Sequence, residues 1–323
     1  MIPTLLKLPN ARKVVQLLGG CEPETELLIL YDAMTAGNVE ALMIAATEVG
    51  ASPVTMQMMP STFHGTELPK SVAAAMAASQ LVIGATVRNI AHTDARRGAQ
   101  AKGAKVIVLP ESDDERFFLA KGWSVDFETV RQQIDTLAQA LTEASTARVT
   151  SDLGTDVTMS IAGRTGRSLN GFANSVDISA GYCLEASLAP VEGTANGRIV
   201  VNASIPGVAL IKDAPVEIEF RDGFAVSIRG GAEARQFREL LEGFNDPNVY
   251  NLGELGIGMN PMCTLDGTML SDESVWGGFQ LALGTSAYIG GTCKAAAHYD
   301  TVLTNAALEL DGRLVFAGNR LLI

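Results

Sequence analysis

The first 148 residues alternate short apolar runs with longer stretches whose apolar residues recur at helical spacing. The apolar runs are residues 26–32, 52–59, 80–85 and 104–110, and the helix-periodic stretches are residues 38–50, 71–79, 94–103 and 130–144. Continuous apolar runs are typical of strands covered on both faces, and helices between them make successive strands parallel. We therefore predict an α/β N-terminal domain with a parallel sheet over residues 1–148.

From residue 149 the pattern changes to strand-like alternation with frequent turn signals. Residues 149–323 are rich in Thr, Val and Gly, and hairpin signals occur at Asp222–Gly223 and Asp311–Gly312. We predict a mostly β (α+β) C-terminal domain over residues 149–323. The segment YDAMTAGN after the first strand lacks the glycine fingerprint of a dinucleotide site, so NAD is not expected.

Composition excludes several classes of protein. The chain has 323 residues, of which 47% are hydrophobic, and its formal net charge is -12. An acidic chain without clustered Lys and Arg does not favour nucleic-acid binding, so we expect a small-molecule or short-peptide substrate. No apolar run reaches the roughly 18 residues that a membrane span needs, and the N-terminus lacks a signal-peptide pattern. We therefore expect no membrane partner and a cytoplasmic location.

A histidine and an aspartate near the C-terminus form the first candidate site. The chain has only three histidines, and His298 stands two residues before Asp300 in a strand-like run. Alternate residues of a strand project from the same face, so these two side chains point the same way. That geometry suits two ligands of one metal ion.

Three glutamates in glycine-rich or turn-rich segments are further candidate ligands. They are Glu185, Glu254 and Glu273. Carboxylates together with one imidazole suit a hard or borderline divalent ion. Two simpler interpretations remain open at this point: a lone histidine is often only hydrogen-bonded, and the acidic residues can form the solvated face of a non-catalytic domain.

Six motifs in sequence order resemble those of the thermophilic metallo-aminopeptidases, the aminopeptidase T (leucyl aminopeptidase) family. They are GTDVTMSIAGR, GYCLEASLAPVEGTANGRIVV, GELGIGMNP, TMLSDE, FQLALG and HYDTVL. The resemblance implies a homodimer and a two-metal site at Glu185, Glu254, Glu273, His298 and Asp300. It also implies a metal-dependent hydrolase that uses Zn, Co or Mn to activate water against an amide carbonyl.

The resemblance assigns further roles and includes one departure. Glu185 or Glu273 is either a ligand of a second ion or the general base, and Tyr288 is near the position of an active-site tyrosine in these peptidases. Arg164 is a candidate for binding a substrate carboxylate. Where the peptidases have a metal-binding histidine this chain has Gln280, a weaker ligand, which we assign to the substrate site.

A second branch of the superfamily is similar over residues 220–250. The segment GFAVSIRGGAEARQFRELLEGFNDPNVY resembles the 2,5-dihydroxypyridine 5,6-dioxygenases, whose single Fe(II) is bound by two histidines and a carboxylate. His298 and Asp300 match two of these ligands, but the third, a histidine, aligns with Glu254. One histidine with two carboxylates favours a hydrolytic site. The sequence therefore ranks a hydrolase first and an Fe(II) ring-cleaving dioxygenase as the alternative.

Overall fold

A computed structural model describes residues 2–323. The chain divides into two compact units, and it passes between them more than once. The first unit contains the residues up to Ser124 together with Gly171–Cys183, and the second contains Val125–Asn170 and Leu184–Ile323.

The first unit is an α/β unit built on a parallel sheet. Its helices and strands are α1 (Thr4–Arg12), β1 (Leu27–Asp32), α2 (Ala36–Glu48), β2 (Val54–Met58), α3 (Lys70–Ala78), β3 (Leu81–Ala85), α4 (Asp94–Ala101) and β4 (Lys105–Leu109). Within the described residues the sheet order is β2-β1-β3-β4, and all of its pairings are parallel. Strand β3 is buried throughout, as its continuous apolar run predicts. The predicted α/β domain with a parallel sheet is confirmed.

The second unit begins with a helix and is otherwise dominated by strands. Its first part contains α5 (Phe127–Glu143), β5 (Thr146–Ser151), β6 (Asp156–Ser160), β7 (Arg167–Leu169), β8 (Glu185–Leu188), β9 (Asn196–Val201), β10 (Ser204–Ile205) and β11 (Ala209–Leu210). Its second part contains β12 (Val216–Arg221), β13 (Phe224–Arg229), α6 (Ala232–Gly243), β14 (Leu252–Gly258), α7 (Met269–Asp272), β15 (Phe279–Gly284), β16 (His298–Tyr299), β17 (Val302–Leu303), β18 (Ala306–Leu310), β19 (Arg313–Ala317) and β20 (Arg320–Leu321).

Two antiparallel sheets organise these strands. Over the described residues one sheet has the order β11-β10-β17-β15-β14-β8-β7, with β16 paired to β15, and the other has the order β13-β12-β9-β6-β5-β18-β19-β20. Strands β8, β14 and β15 are buried along their whole length. The mostly β character predicted for the C-terminal region is confirmed, and the buried strands carry the candidate ligands.

The boundary between the units differs from the predicted one between residues 148 and 149. Helix α5 buries Ile134, Leu137 and Leu141, and it contacts β7 and β8 of the second unit. A Cβ atom at Gly166 would lie 2.1 Å from the carbonyl oxygen of Ala138, so the backbone before β7 approaches this helix closely. Helix α5 and β5 therefore belong with the strands that follow them.

Among residues 2–323, no helix combines the length and the apolar character that crossing a bilayer requires.

Candidate metal centre

Three of the predicted ligands converge in the second unit. One potential ligand atom from each of Glu254, His298 and Asp300 lies within 4.8 Å of the other two. The Nε2 atom of His298 is 3.1 Å from Glu254 Oε2 and 3.8 Å from Asp300 Oδ1. Glu254 and His298 are 44 positions apart in sequence, and they meet because the sheet brings β14 and β16 to either side of β15.

The strand register explains this meeting. Glu254 on β14 pairs with Ala282 on β15, and His298 on β16 pairs with Gly284 two residues further along β15. The two ligands therefore flank one short stretch of the central strand. Asp300 follows β16 directly, so the spacing of two residues that suggested a shared face does bring its carboxylate to the same place as the imidazole.

The two remaining predicted ligands lie in the same electrostatic cluster. Glu185 is buried on β8, where its Oε1 accepts a hydrogen bond from Ser187 Oγ at 3.1 Å. Glu273 follows α7 and shares a hydrogen bond with Asp300. A hydrogen bond between two carboxyl groups requires a proton between them, because two carboxylates have no donor.

Burial and mutual repulsion shift the acidic groups. Burial and, next, the charge of Glu254 raise the pKa of Glu185 to about 8. Burial also raises the pKa of Glu273, with added repulsion from Asp300, and burial raises the pKa of Asp300 itself. Burial opposes ionisation of Glu254 as well, but its hydrogen bond with His298 and the charge of that ring outweigh burial and lower its pKa.

His298 is oriented by a backbone carbonyl. Its Nδ1 lies 2.8 Å from the carbonyl oxygen of Thr285, and because a carbonyl can only accept, Nδ1 carries the proton. Nε2 therefore faces the carboxylates. Burial alone would lower the pKa of His298, but its hydrogen bond with Glu254 and the charges of Asp300 and Glu254 raise it to about 9. A bound cation would take the place of the Nε2 proton.

Two further polar side chains, Arg167 and Gln280, lie beside the candidate ligands. Arg167 was not predicted from the sequence. Arg167 on β7 is largely buried, and its Nη1 is 3.9 Å from Glu254 Oε1. Gln280 on β15 donates from Nε2 to the carbonyl oxygen of Glu273, whereas its buried Oε1 has no hydrogen-bond partner among residues 2–323. A Cβ atom at Gly256 would lie 2.5 Å from that oxygen, so glycine leaves room for the amide.

Two other predicted site residues lie in or near the loop that precedes β16. The guanidinium of Arg164 is paired with Glu192 and also donates to the carbonyl oxygen of Gly290 at 2.7 Å. Tyr288 lies half-buried in the same loop. Their roles toward a substrate stay predictions.

The donor set fits a divalent cation. Besides burial, the charges of neighbouring carboxylates raise the pKa values of Glu185, Glu273 and Asp300, and a dication would relieve that repulsion. The ligand atoms of Glu254, His298 and Asp300 are close enough to bind one ion together. One imidazole with carboxylate oxygens suits first-row divalent metals.

A parallel sheet in the first unit and antiparallel sheets in the second give the chain the aminopeptidase T-like fold, and one of the antiparallel sheets gathers three potential metal ligands. Among proteins of that fold, the chain belongs to the 2,5-dihydroxypyridine 5,6-dioxygenase family (NicX), whose sequence profile matches residues 11–322. A curated 2,5-dihydroxypyridine 5,6-dioxygenase from Pseudomonas putida strain KT2440 is 29% identical over 143 residues. That alignment covers 40% of this chain and 41% of the relative.

Solved structures share the fold over nearly the whole chain. The structure of 2,5-dihydroxypyridine dioxygenase from Pseudomonas putida KT2440 matches with a TM-score of 0.87 at 19% identity, covering 100% of this chain and 98% of that one. Wild-type AmpT from Thermus thermophilus matches with a TM-score of 0.71 at 15% identity, covering 99% of each chain. The superfamily resemblance seen in the motifs is confirmed.

The first-ranked function is wrong. The family profile and the curated relative both point to the dioxygenase branch, so the aminopeptidase-like hydrolase, metalloprotease and leucyl aminopeptidase interpretation is not supported. The error came from giving too much weight to Glu254. A carboxylate in place of an imidazole changes the charge of a metal site by one unit, but oxygen and nitrogen donors of this kind are compatible with Fe(II) as well as Zn(II).

Proposed function

We propose that this chain is an Fe(II)-dependent dioxygenase that opens a dihydroxylated nitrogen-containing aromatic ring. The observation that carries the proposal is the match of the family profile to residues 11–322. The substrate class follows the names of the family and of the curated relative, and 2,5-dihydroxypyridine is the first compound to test. The same proposal includes a small-molecule substrate and, from the resemblance, a homodimer.

Glu254, His298 and Asp300 are the residues that would hold the ion. Bound Fe(II) supplies a redox-active centre that can activate O₂, which Zn(II) cannot. Two ionised carboxylates balance the two positive charges, and the Nδ1 hydrogen bond to Thr285 keeps His298 Nε2 directed at the ligand position. The donor set thus supports a resident dication.

The surrounding side chains have roles in binding and proton transfer. Without a bound cation Glu185 holds a proton at neutral pH, because burial and the charge of Glu254 raise its pKa to about 8, and a protonated carboxyl group there can donate to a substrate oxygen. The guanidinium of Arg167 favours the ionised form of a ring hydroxyl group. The unpaired Oε1 of Gln280 is an acceptor for a ring N–H or hydroxyl donor, which agrees with the substrate role predicted for this residue.

An oxygen electrode tests the proposal. Protein reconstituted anaerobically with Fe(II) should consume one equivalent of O₂ per equivalent of 2,5-dihydroxypyridine, whereas protein loaded with Zn, Co or Mn should support far less uptake. A parallel anaerobic assay on aminoacyl anilides should give no hydrolysis with any of the four metals. Amide hydrolysis without oxygen, together with no O₂ uptake on any dihydroxypyridine, would contradict the proposal.

A further inference from the structure

The loop between β15 and β16, residues 285–297, closes around one carboxylate. Glu192 Oε1 accepts hydrogen bonds from Ser286 Oγ at 2.5 Å, from the Thr292 N–H at 2.6 Å and from the Cys293 N–H at 3.2 Å. These donors come from the start of the loop and from its second half. A single oxygen atom therefore holds Ser286 close to Thr292 and Cys293.

The second oxygen of this carboxylate is also engaged. Glu192 Oε2 is paired with the guanidinium of Arg164, which donates in addition to the carbonyl oxygen of Gly290 in the same loop. Burial would raise the pKa of Glu192, but the hydrogen bonds from Ser286 and from the loop N–H groups outweigh burial and lower its pKa to about 2. Glu192 is therefore an ionised anchor across the physiological pH range.

Hydrogen bonds within the loop connect Glu192 to the candidate ligand His298. The Cys293 carbonyl oxygen accepts from Thr285 Oγ1 at 3.0 Å, and the Thr285 N–H donates to the carbonyl oxygen of Ala297 at 2.9 Å. The carbonyl oxygen of Thr285 then accepts the Nδ1 proton of His298 at 2.8 Å. Three hydrogen bonds, through Cys293 and Thr285, thus link Glu192 to the ring that faces Glu254.

The loop packs closely against Glu192 at Gly291. A Cβ atom at Gly291 would lie 2.1 Å from Ser286 Oγ and 2.6 Å from Glu192 Oε1. Separations this short require atoms to move, so any side chain at this position would push the loop away from the carboxylate. Gly291 gives a second, independent way to disturb the anchor without changing its charge.

We propose that Glu192 is a positioning residue for the metal centre, because it fixes the loop 285–297 whose Thr285 carbonyl orients His298. The inference rests on the metal centre of the proposed function. Groups that orient a metal-bound histidine typically change metal affinity by 10-fold to 100-fold when they are removed. Removing the Glu192 carboxylate also takes the acceptor from the Thr292 N–H and leaves the Cys293 N–H with Ser286 Oγ alone, which favours opening of the loop.

Anaerobic titration with Co(II) alone tests the inference, because the visible absorption of Co(II) reports the geometry of its ligands. We expect Glu192→Ala to weaken Co(II) binding by about 10-fold or more and to change the spectrum of the bound ion. Glu192→Gln keeps an acceptor oxygen for the loop donors but loses the ion pair with Arg164. Its affinity should lie between those of the wild type and Glu192→Ala, which a loss of charge alone does not predict. Glu219→Ala, which removes an exposed pair with Arg221, is the matched control and should bind as the wild type does.

Gly291→Ala and His298→Ala separate the possible outcomes. Gly291→Ala should weaken Co(II) binding in the same direction as Glu192→Ala, and His298→Ala should abolish it. If Glu192→Ala lowers the melting temperature but leaves affinity and spectrum unchanged, Glu192 contributes to stability alone and the inference is wrong. If the wild-type protein itself fails to bind Co(II), the proposed metal centre fails, which is a different result.

Discussion

His298 is held between an acceptor on one side and carboxylates on the other. Its Nδ1 donates to the Thr285 carbonyl, and its Nε2 is 3.1 Å from Glu254. In the absence of a cation the ring is stabilised in its protonated form, since its pKa is raised to about 9. A metal ion and a proton therefore compete for the same nitrogen atom.

Removal of the His298 or the Asp300 side chain should greatly weaken metal binding. We expect His298→Ala and Asp300→Ala each to weaken binding of Fe(II) or Co(II) by about 100-fold or more, because each removes one of three converging donors. Circular dichroism should show that both variants remain folded. The control is His64→Ala, which changes a histidine of the first unit, and it should keep full metal content by elemental analysis. Full metal content in either ligand variant would contradict the assignment.

Metal affinity should rise with pH through the neutral range. Below the raised pKa of His298, about 9, each ion that binds must displace one proton, so the logarithm of the apparent affinity should rise by about one per pH unit and level off near pH 9. Release of the Glu185 proton, whose pKa is about 8, would make the slope steeper. Calorimetry at pH 7 in buffers of different ionisation enthalpy measures the number of protons released. A value of zero would show that Nε2 is not a ligand.

Site residues with a local sequence signal could be predicted, whereas those brought in by long-range contacts could not. His298 and Asp300 stand two positions apart on one strand, so alternation alone places them on one face. Glu254 was a candidate because of its glycine-rich segment, and the family resemblance then placed it in the ligand set. Arg167 and Glu192 carry no such local signal, because each reaches the site or its loop through strand pairings and loop contacts far away in sequence.

Strand pairing is what converts these scattered residues into a site. Strand β15 lies between β14 and its partners β16 and β17, and β8 pairs with the other side of β14. The hydrophobic pattern predicts that these segments are strands, but not which strands are neighbours. A shift of one residue in any pairing would turn a ligand to the opposite face of the sheet. The fold class was therefore predictable from sequence, whereas the register was not.

A side chain at Gly284 would disturb the pairing of β15 with β16. Gly284 has a φ of +116°, and a Cβ atom there would lie 2.0 Å from the carbonyl oxygen of Ala297, next to His298. Gly284→Ala should lower the free energy of unfolding by about 1 kcal/mol from the backbone conformation and by a further ~1–3 kcal/mol from the clash. It should also weaken metal binding, because β16 must move.

Gly312→Ala is the matched control for this change. Gly312 also has a positive φ, +79°, but a Cβ atom there would meet nothing within 4 Å. This variant should show the backbone cost alone and should keep the metal affinity of the wild type. Chemical denaturation and Co(II) titration of both variants measure the two effects. Equal destabilisation of the two variants, with metal binding unchanged in both, would mean that the contact with Ala297 does not hold β16.

At the scale of the whole molecule, the hydrophobic pattern predicted the α/β and the mostly β character of the chain but not the path of the chain between its two units. The change to strand-like alternation near residue 149 corresponds to a change in structure, since most strands of the antiparallel sheets follow it. Helix α5 has the periodicity of any amphipathic helix, and nothing in that pattern tells which sheet it covers. Its contacts with β7 and β8 assign it to the second unit, and residues 171–183 return to the first.

A comparison of two fragments tests this division of the chain. A fragment of residues 125–323 keeps α5 and the whole of β5, whereas a fragment of residues 149–323 begins inside β5, the strand between β6 and β18. The shorter fragment also loses the apolar face of α5, including Ile134, Leu137 and Leu141, and exposes the strands that this face covers. We expect the longer fragment to unfold in a cooperative thermal transition and the shorter one to aggregate or to melt without a transition, because a sheet interrupted at an inner strand leaves unpaired edges. Circular dichroism melting curves of the two fragments distinguish these results. A cooperative transition of equal midpoint in both fragments would instead support the boundary predicted from sequence, between residues 148 and 149.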